Sequence, residues 1–304
     1  MNPSERVKNL HSNTFHKPIT LHLTNRLSIR IYKDTRPNCL ETAPLQKGLV
    51  LMLDNKELIE EGIGFGVPVV KYEDKTYFSS SAEVSIQKTE SAYTIKKTFM
   101  IDTVSRKKLW RASYIDDDFY SSLRKIFEKL YLRHKRLAPL FNKLMELREI
   151  AKIKTEFIKV QPRGTITINY QCQPTTIKVN VDLSNLTSKN CQEILVLNEQ
   201  GSSVFRKYSD TSGLTLFGNK IGAWDAVTAD HASMLNPNEQ VAFSLQNINK
   251  ATLFRGWEKT RNRFSWAGLS YSLHPNNETF DYAIRLSLKN KNELPTVEGL
   301  FCQN

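Results

Sequence analysis

Apolar and polar residues alternate in short runs along most of this chain, and one segment breaks the rhythm. Thr165-Ile-Thr-Ile-Asn-Tyr170 and Thr176-Ile-Lys-Val-Asn-Val-Asp182 repeat every second residue, the period of a half-buried strand. The same reading expects strands at Ile19–Leu23, Leu27–Tyr32, Gly48–Leu53, Gly62–Val70, Lys71–Phe78, Ala82–Lys88, Tyr93–Asp102 and Trp110–Ile115. They resume at Phe157–Val160 and continue through Glu193–Leu197, Val204–Tyr208, Ala223–Ala229, Val241–Leu245, Ala251–Trp257, Ser265–Leu273 and Asp281–Leu288. Turn chemistry separates them at Asp54-Asn55, Glu73-Asp74-Lys75, Asn198-Glu-Gln-Gly201, Asp210-Thr-Ser-Gly213 and His274-Pro-Asn-Asn277.

The break runs from Ser121 to Lys154, where leucines and aromatics recur every three or four residues. Leu123, Ile126, Phe127 and Leu130 share one helical face, and Leu137, Leu140, Phe141 and Leu144 share another. Pro139 lies between the two stripes and would cost about 3 kcal/mol inside a helix. The segment is therefore expected to form two helices meeting near Arg136–Pro139. Asp116, Asp117 and Asp118 suit the N-terminus of the first, where acids meet free N–H groups and the positive dipole end.

These elements predict a mainly β protein: a large antiparallel β-sandwich with an αα-hairpin insertion at about 117–154. Residues 1–17 are patternless and are expected to be a flexible terminus, with residues 18–304 as a single sandwich domain. No repeat of fixed period appears, which argues against a propeller or solenoid. The long antiparallel succession, the helical interruption a third of the way along, and the closing pair Tyr271–Leu273 and Phe280–Leu288 resemble the galactose-mutarotase-like β-supersandwich. That resemblance implies the fold of sugar epimerases and of the sandwich domains of polysaccharide lyases and some glycosidases. The catalytic histidine pair and carboxylate of that family match no residue here, so none is carried over.

Composition narrows the picture. The 304 residues are 40% hydrophobic and 10% aromatic, an ordered globular balance. The N-terminus lacks an apolar leader, and no stretch of eighteen apolar residues offers a membrane span. Four separated cysteines, Cys39, Cys172, Cys191 and Cys302, fit reduced thiols and a cytoplasmic setting. Formal charge is +12, and the helical segment carries ten Lys/Arg against three Glu. A basic face including Arg133, Lys135 and Arg136 would bind an acidic partner, either nucleic acid or an anionic surface, as a non-enzymatic alternative.

Chemistry is sparse. Gly62-Ile-Gly-Phe-Gly66 is followed by extended Val-Pro-Val-Val, so it reads as a bulged, closely packed strand and not a phosphate loop. Six scattered histidines show no metal-ligand spacing, and neither a metal nor a cofactor is expected. The densest polar-aromatic stretch runs from Arg255 to Trp266. Arg255, Trp257, Arg263 and Trp266 are the expected substrate-binding set, because a flat indole stacks on a sugar face and a guanidinium binds hydroxyls or an anion. Arg255 and Trp257 share one side of a strand, and Gly256 and Glu258 the other. Glu258, Asp225, His231 and Glu199 are the candidate acids and bases, with Tyr208 and Asp210 flanking. The leading expectation is a carbohydrate-interacting sandwich, either a binding protein or an epimerase-, lyase- or hydrolase-type enzyme.

Overall fold

The computed structural model describes residues 17–33, 46–59, 63–73, 75–89, 92–102, 104–110, 113–115, 154–159, 161–236, 241–260 and 264–288. The expected αα-hairpin, with Arg133, Lys135 and Arg136, lies outside the described residues, as do Arg263 and the N-terminal segment up to residue 16. The chain divides into two compact units, residues 1–15 with 102–162 and residues 16–101 with 163–304.

In the first unit the described strands are β8 (Val104–Trp110), β9 (Ser113–Ile115) and β10 (Lys154–Lys159). They form a three-stranded antiparallel sheet with β8 in the middle. Of the single strand expected at Trp110–Ile115, Trp110 ends β8 and Ser113–Ile115 form β9, paired antiparallel with β8.

The second unit opens with β1 (Ile19–His22), β2 (Leu27–Ile31), β3 (Leu49–Leu53), β4 (Lys56–Glu57), β5 (Gly64–Tyr72), β6 (Thr76–Lys88) and β7 (Tyr93–Asp102). It continues with β11 (Thr165–Cys172), β12 (Thr176–Asp182), β13 (Cys191–Gln200), β14 (Lys207–Asp210), β15 (Thr215–Phe217) and β16 (Ala223–Ala226). It closes with β17 (His231–Asn236), β18 (Val241–Gln246), β19 (Ala251–Thr260), β20 (Phe264–Leu273) and β21 (Thr279–Leu288).

These make one 18-stranded antiparallel sheet whose pairings run in two series. The first is β1-β2-β3-β5-β13-β20-β19-β16, with β4 folded back on β3 and β6 starting on β5. The second is β7-β11-β12-β21-β18-β17-β14-β15.

The alternation read from sequence decides what lies between the two series. Ile166, Ile168 and Tyr170 of β11, Ile177, Val179 and Val181 of β12, and Phe280, Tyr282 and Ile284 of β21 are buried. Val196 of β13 and Tyr271 of β20 are buried on the other layer. Tyr271 stands 5.0 Å, ring centre to ring centre, from both Phe280 and Tyr282, and Phe65 of β5 stands 5.0 Å from Phe243 of β18. Edge-on aromatic pairs of this kind contribute about 0.5–1.5 kcal/mol beyond their buried area.

Polar groups stitch the same interface. Tyr170 Oη donates to Gly66 O at 2.8 Å, and Asn198 Oδ1 accepts from Gly66 N at 3.0 Å and Tyr282 Oη at 2.9 Å. Gly66 has φ +72°, and a Cβ there would lie 2.5 Å from Tyr170 Oη. It sits where the β13–β5 register shifts between Leu197 and Asn198, so the glycine run is a bulged strand under an aromatic ring, as expected.

Two local expectations are corrected. Asn198, Glu199 and Gln200 are not a turn; they end β13 and are buried. Their polar side chains look like turn formers, but packing between β5 and β20 holds them extended. The sequence reading places no strand at 231–236, where His231 counts as a candidate base and Asn236-Pro-Asn238 as a turn; these six residues form β17.

Candidate functional site

The outward face of the second layer is polar at almost every position, and strand register sorts those positions into rows. Thr94, Gln171, Lys178 and Ala283 stand opposite one another on β7, β11, β12 and β21. The next row is Lys96, Asn169, Asn180 and Asp281, and the third is Thr98, Thr167, Asp182 and Thr279. Directly opposed side chains sit about 5 Å apart, within reach of one another or of one ligand. Each row draws its members from four separated stretches of sequence.

The middle row is ordered by side-chain hydrogen bonds. Asn169 Nδ2 donates to Asn180 Oδ1 at 3.1 Å, and Asn180 Nδ2 donates to Asp281 Oδ1 at 2.9 Å. Carboxylate oxygens only accept, so Asp281 fixes the orientation of both amides. Among the described residues, Asn169 Oδ1 and the second oxygen of Asp281 accept no hydrogen bond. In the third row the Thr98 and Thr167 hydroxyls are 3.1 Å apart.

This face is hollowed into an open cleft of about 560 Å³ lined by Asn169, Gln171, Lys178, Asn180, Asp281 and Arg285. His231 of β17, Ser244 and Gln246 of β18 and Ile248 close the other side. The volume falls within the range of small-ligand sites, about 300–1,000 Å³. Lys178 pairs with Ala283 and Arg285 lies two residues along the same strand, so the two cations are diagonal neighbours about 7 Å apart.

Of the described residues singled out from sequence, His231 lies in this cleft. Arg255, Trp257, Trp266, Glu258, Glu199 and Asp225 lie on the first layer and divide between its two faces. Arg255 points inward: its Nε donates to Ile221 O at 3.0 Å, Nη2 lies 3.5 Å from Asp225 Oδ2, and the guanidinium rests 5.0 Å from the Tyr208 ring. Tyr208 in turn donates to Asp210 Oδ2 at 2.7 Å. Trp257 shares that side and donates from Nε1 to Ser202 O at 3.0 Å. These contacts tie Arg255 to Ile221 and to Asp225 of β16, and Trp257 to the β13–β14 connection.

Trp266, Glu258 and Glu199 occupy the opposite, outward face. Trp266 Nε1 donates to Glu258 Oε2 at 3.2 Å. Glu199 is 7% exposed, and its carboxyl is pushed up to about 8, by burial first and by the neighbouring Glu258 second. Burial raises Glu258 as well, against the pull of the Trp266 N–H. Two of the four candidate acids and bases are thus brought together, but away from Arg255.

The cleft residues were missed one by one, because Asn169, Lys178 and Asn180 are the ordinary polar positions of the alternating runs quoted above. Their signal is collective: period-two polar positions become a site only when register sets four strands side by side. Lys97 was missed for the opposite reason. It occupies an inward position between Ile95 and Phe99, is fully buried, and donates to Tyr32 O at 3.1 Å and to Lys47 O.

No family model matches the sequence, and no curated protein matches it. Among solved structures the chain resembles an α-N-acetylgalactosaminidase from Bifidobacterium bifidum in complex with GalNAc, at 7% identity and a TM-score of 0.46 over 89% of this chain. It resembles a putative aldose 1-epimerase from Escherichia coli K12, at 7% identity and a TM-score of 0.38 over 90% of this chain and 99% of the other. It also resembles a variant of a glycoside hydrolase family 97 enzyme from Pseudoalteromonas sp. strain K8, at 9% identity and a TM-score of 0.39 over 88% of this chain. The chain spans about a third of the length of the two glycosidases, 36% and 35%. With TM-scores below 0.5, the functional reading rests on the site alone.

Proposed function

We propose that this chain binds a carbohydrate in the cleft on the outward face of β7, β11, β12, β21 and β18, with a sugar carrying a carboxylate or sulfate favoured. The observation that carries the reading is the hydrogen-bonded row Asn169–Asn180–Asp281 in the cleft floor. Vicinal sugar hydroxyls each present a donor and an acceptor at close spacing. A planar amide beside a carboxylate meets such pairs in two-pronged fashion, and the row offers acceptor positions at both ends. Lys178 and Arg285 beside it supply fixed positive charge for an anionic substituent, Arg with a two-pronged fork that matches a carboxylate.

The test is a glycan array followed by calorimetry with uronic-acid and neutral oligosaccharides, and with reducing-end and lyase assays on any ligand found. Saturable binding that Asn180→Leu abolishes, and that Lys178→Glu weakens more for uronates than for neutral sugars, is the expected result. Binding that survives both substitutions, or none to any glycan, overturns the proposal.

A further inference from the structure

The outward face of the first layer carries a second constellation, independent of the cleft. In one row, Glu199 of β13 stands opposite Gly268 of β20, which stands opposite Gly256 of β19; Trp266 and Glu258 are opposed two residues along. The two glycines are what let the larger side chains lie flat. A Cβ on Gly268 would be 2.9 Å from Glu199 Cγ, and one on Gly256 would be 2.2 Å from Trp266 Cη2. The Glu199 side chain therefore spreads across Gly268, and the Trp266 indole covers Gly256.

A second indole completes the face. The β16–β19 register shifts between Ala223 and Asp225, and the bulged residue is Trp224, held at φ 62°. A positive φ at a bulky residue is costly and persists only where surrounding structure enforces it. Here it places Trp224 5.7 Å from Trp266 and 6.3 Å from Phe254, ring centre to ring centre. Trp224 stays 39% exposed, among the few large apolar side chains that are.

Among the described residues, no ion pair reaches the two acids beside these rings. Glu199 accepts no hydrogen bond among the described residues although it is 7% exposed, and Glu258 is held by Trp266 through a single neutral donor. Among the described residues of these strands, the cations Arg255 and Lys259 occupy the alternate positions of β19, and Arg255 is engaged with Ile221 O and Asp225. Two neighbouring carboxyl groups beside an exposed aromatic surface, with no ion pair among the described residues, match an organic ammonium group: an ionised carboxyl supplies charge and the ring faces supply quadrupole attraction.

We propose that Glu199, Glu258, Trp266 and Trp224 form a binding site for an organic ammonium group, with Trp224 as its exposed wall. The ligand chemistry is shared by small quaternary amines and by amino sugars. Tryptophan fluorescence titrations of the full chain at constant ionic strength separate these sources, using tetramethylammonium and glucosamine against the neutral analogues tert-butanol and N-acetylglucosamine. Saturation by either cation and by neither neutral analogue is expected. Affinity should fall about tenfold or more in Trp224→Ala or Glu258→Gln and be largely retained in Trp224→Phe. Response to glucosamine alone assigns the group to a sugar ring, and response to tetramethylammonium alone assigns it to a quaternary amine. No saturable signal, an equal signal from the neutral analogues, or affinity indifferent to both substitutions overturns the proposal.

Discussion

Replacing Glu199 by Gln tests whether the buried acid of β13 costs the fold stability. Its carboxyl is pushed from an ordinary 4.5 up to about 8, by burial and then by Glu258. Between those values the native chain keeps a proton that the unfolded chain has released. Stability is therefore full below pH 4.5, falls as pH rises, and levels off above pH 8. At roughly 1.4 kcal/mol per pH unit, ionisation removes roughly 3 kcal/mol by pH 7 and roughly 5 kcal/mol by pH 8. Glu199→Gln keeps the shape of the protonated acid and cannot ionise. Urea unfolding of both proteins from pH 4.5 to pH 8.5 should give a stability gap near zero at the acid end, growing to roughly 3 kcal/mol in favour of Gln at pH 7. Glu258 titrates in both proteins, so its own contribution largely cancels in the difference. A gap independent of pH, or one favouring Glu199 at pH 8, would refute the reasoning.

Lys97 has the opposite signature: burial pushes its ammonium from 10.5 down to about 7, so the native chain binds fewer protons than the unfolded one in between and stability rises with pH. The clean window is pH 8 to 9, above Glu199 and below the point where Cys172, its thiol pushed from 9.0 up to about 12, adds an opposing slope. There Lys97→Met should lose a rise of roughly 1.4 kcal/mol per pH unit, and parallel urea-derived stability curves for the two proteins would count against it. Gly66→Ala should destabilise by about 3 kcal/mol in thermal or urea unfolding, since the site combines φ +72° with a Cβ placed 2.5 Å from Tyr170 Oη; a change below 1 kcal/mol would contradict that geometry. Asn180→Leu, on a half-exposed face, should change stability by about 1 kcal/mol or less while removing sugar binding, and a larger loss on unfolding would make the amide row structural.

How far the sequence could be read depended on the range of the interaction involved. Alternation at Thr165–Cys172 and Thr176–Asp182 was enough to place β11 and β12, because burial of one face is a local property of each strand. It was also enough to put Arg255 and Trp257 on one side of β19 and Glu258 on the other. Local chemistry failed where tertiary packing prevails over it. Asn198-Glu-Gln-Gly201 has turn residues but extends as the end of β13, because Asn198 and Gln200 find partners in Gly66 and in the backbone of Leu49 and Leu51. The pairing of Glu199 with Glu258 depends on β13 and β19 both flanking β20, a fact of topology that no window of sequence contains.

Whether each polar side chain finds a partner distinguishes structural groups from candidate sites. Facing inward, Asn198 uses its carbonyl twice and its amide once, and Gln200 uses both ends of its side chain. Tyr170, Tyr271 and Tyr282 all donate from their hydroxyls. Among buried inward groups such satisfaction is what a stable core demands, since an orphaned donor or acceptor costs about 1–3 kcal/mol; the Gln46 Oε1 beside Lys97 is an exception. Facing outward, Glu199 accepts nothing among the described residues, and Asn169 Oδ1 and one Asp281 oxygen are likewise open. Adjacent residues of one strand, Asn198 and Glu199, thus differ because they face opposite ways: one is consumed by the interior, the other is held nearly dry with its capacity unspent. A side chain kept in that condition lowers stability unless a ligand completes it, which is why the two outward faces, and not the aromatic-rich interior, are where binding is to be sought.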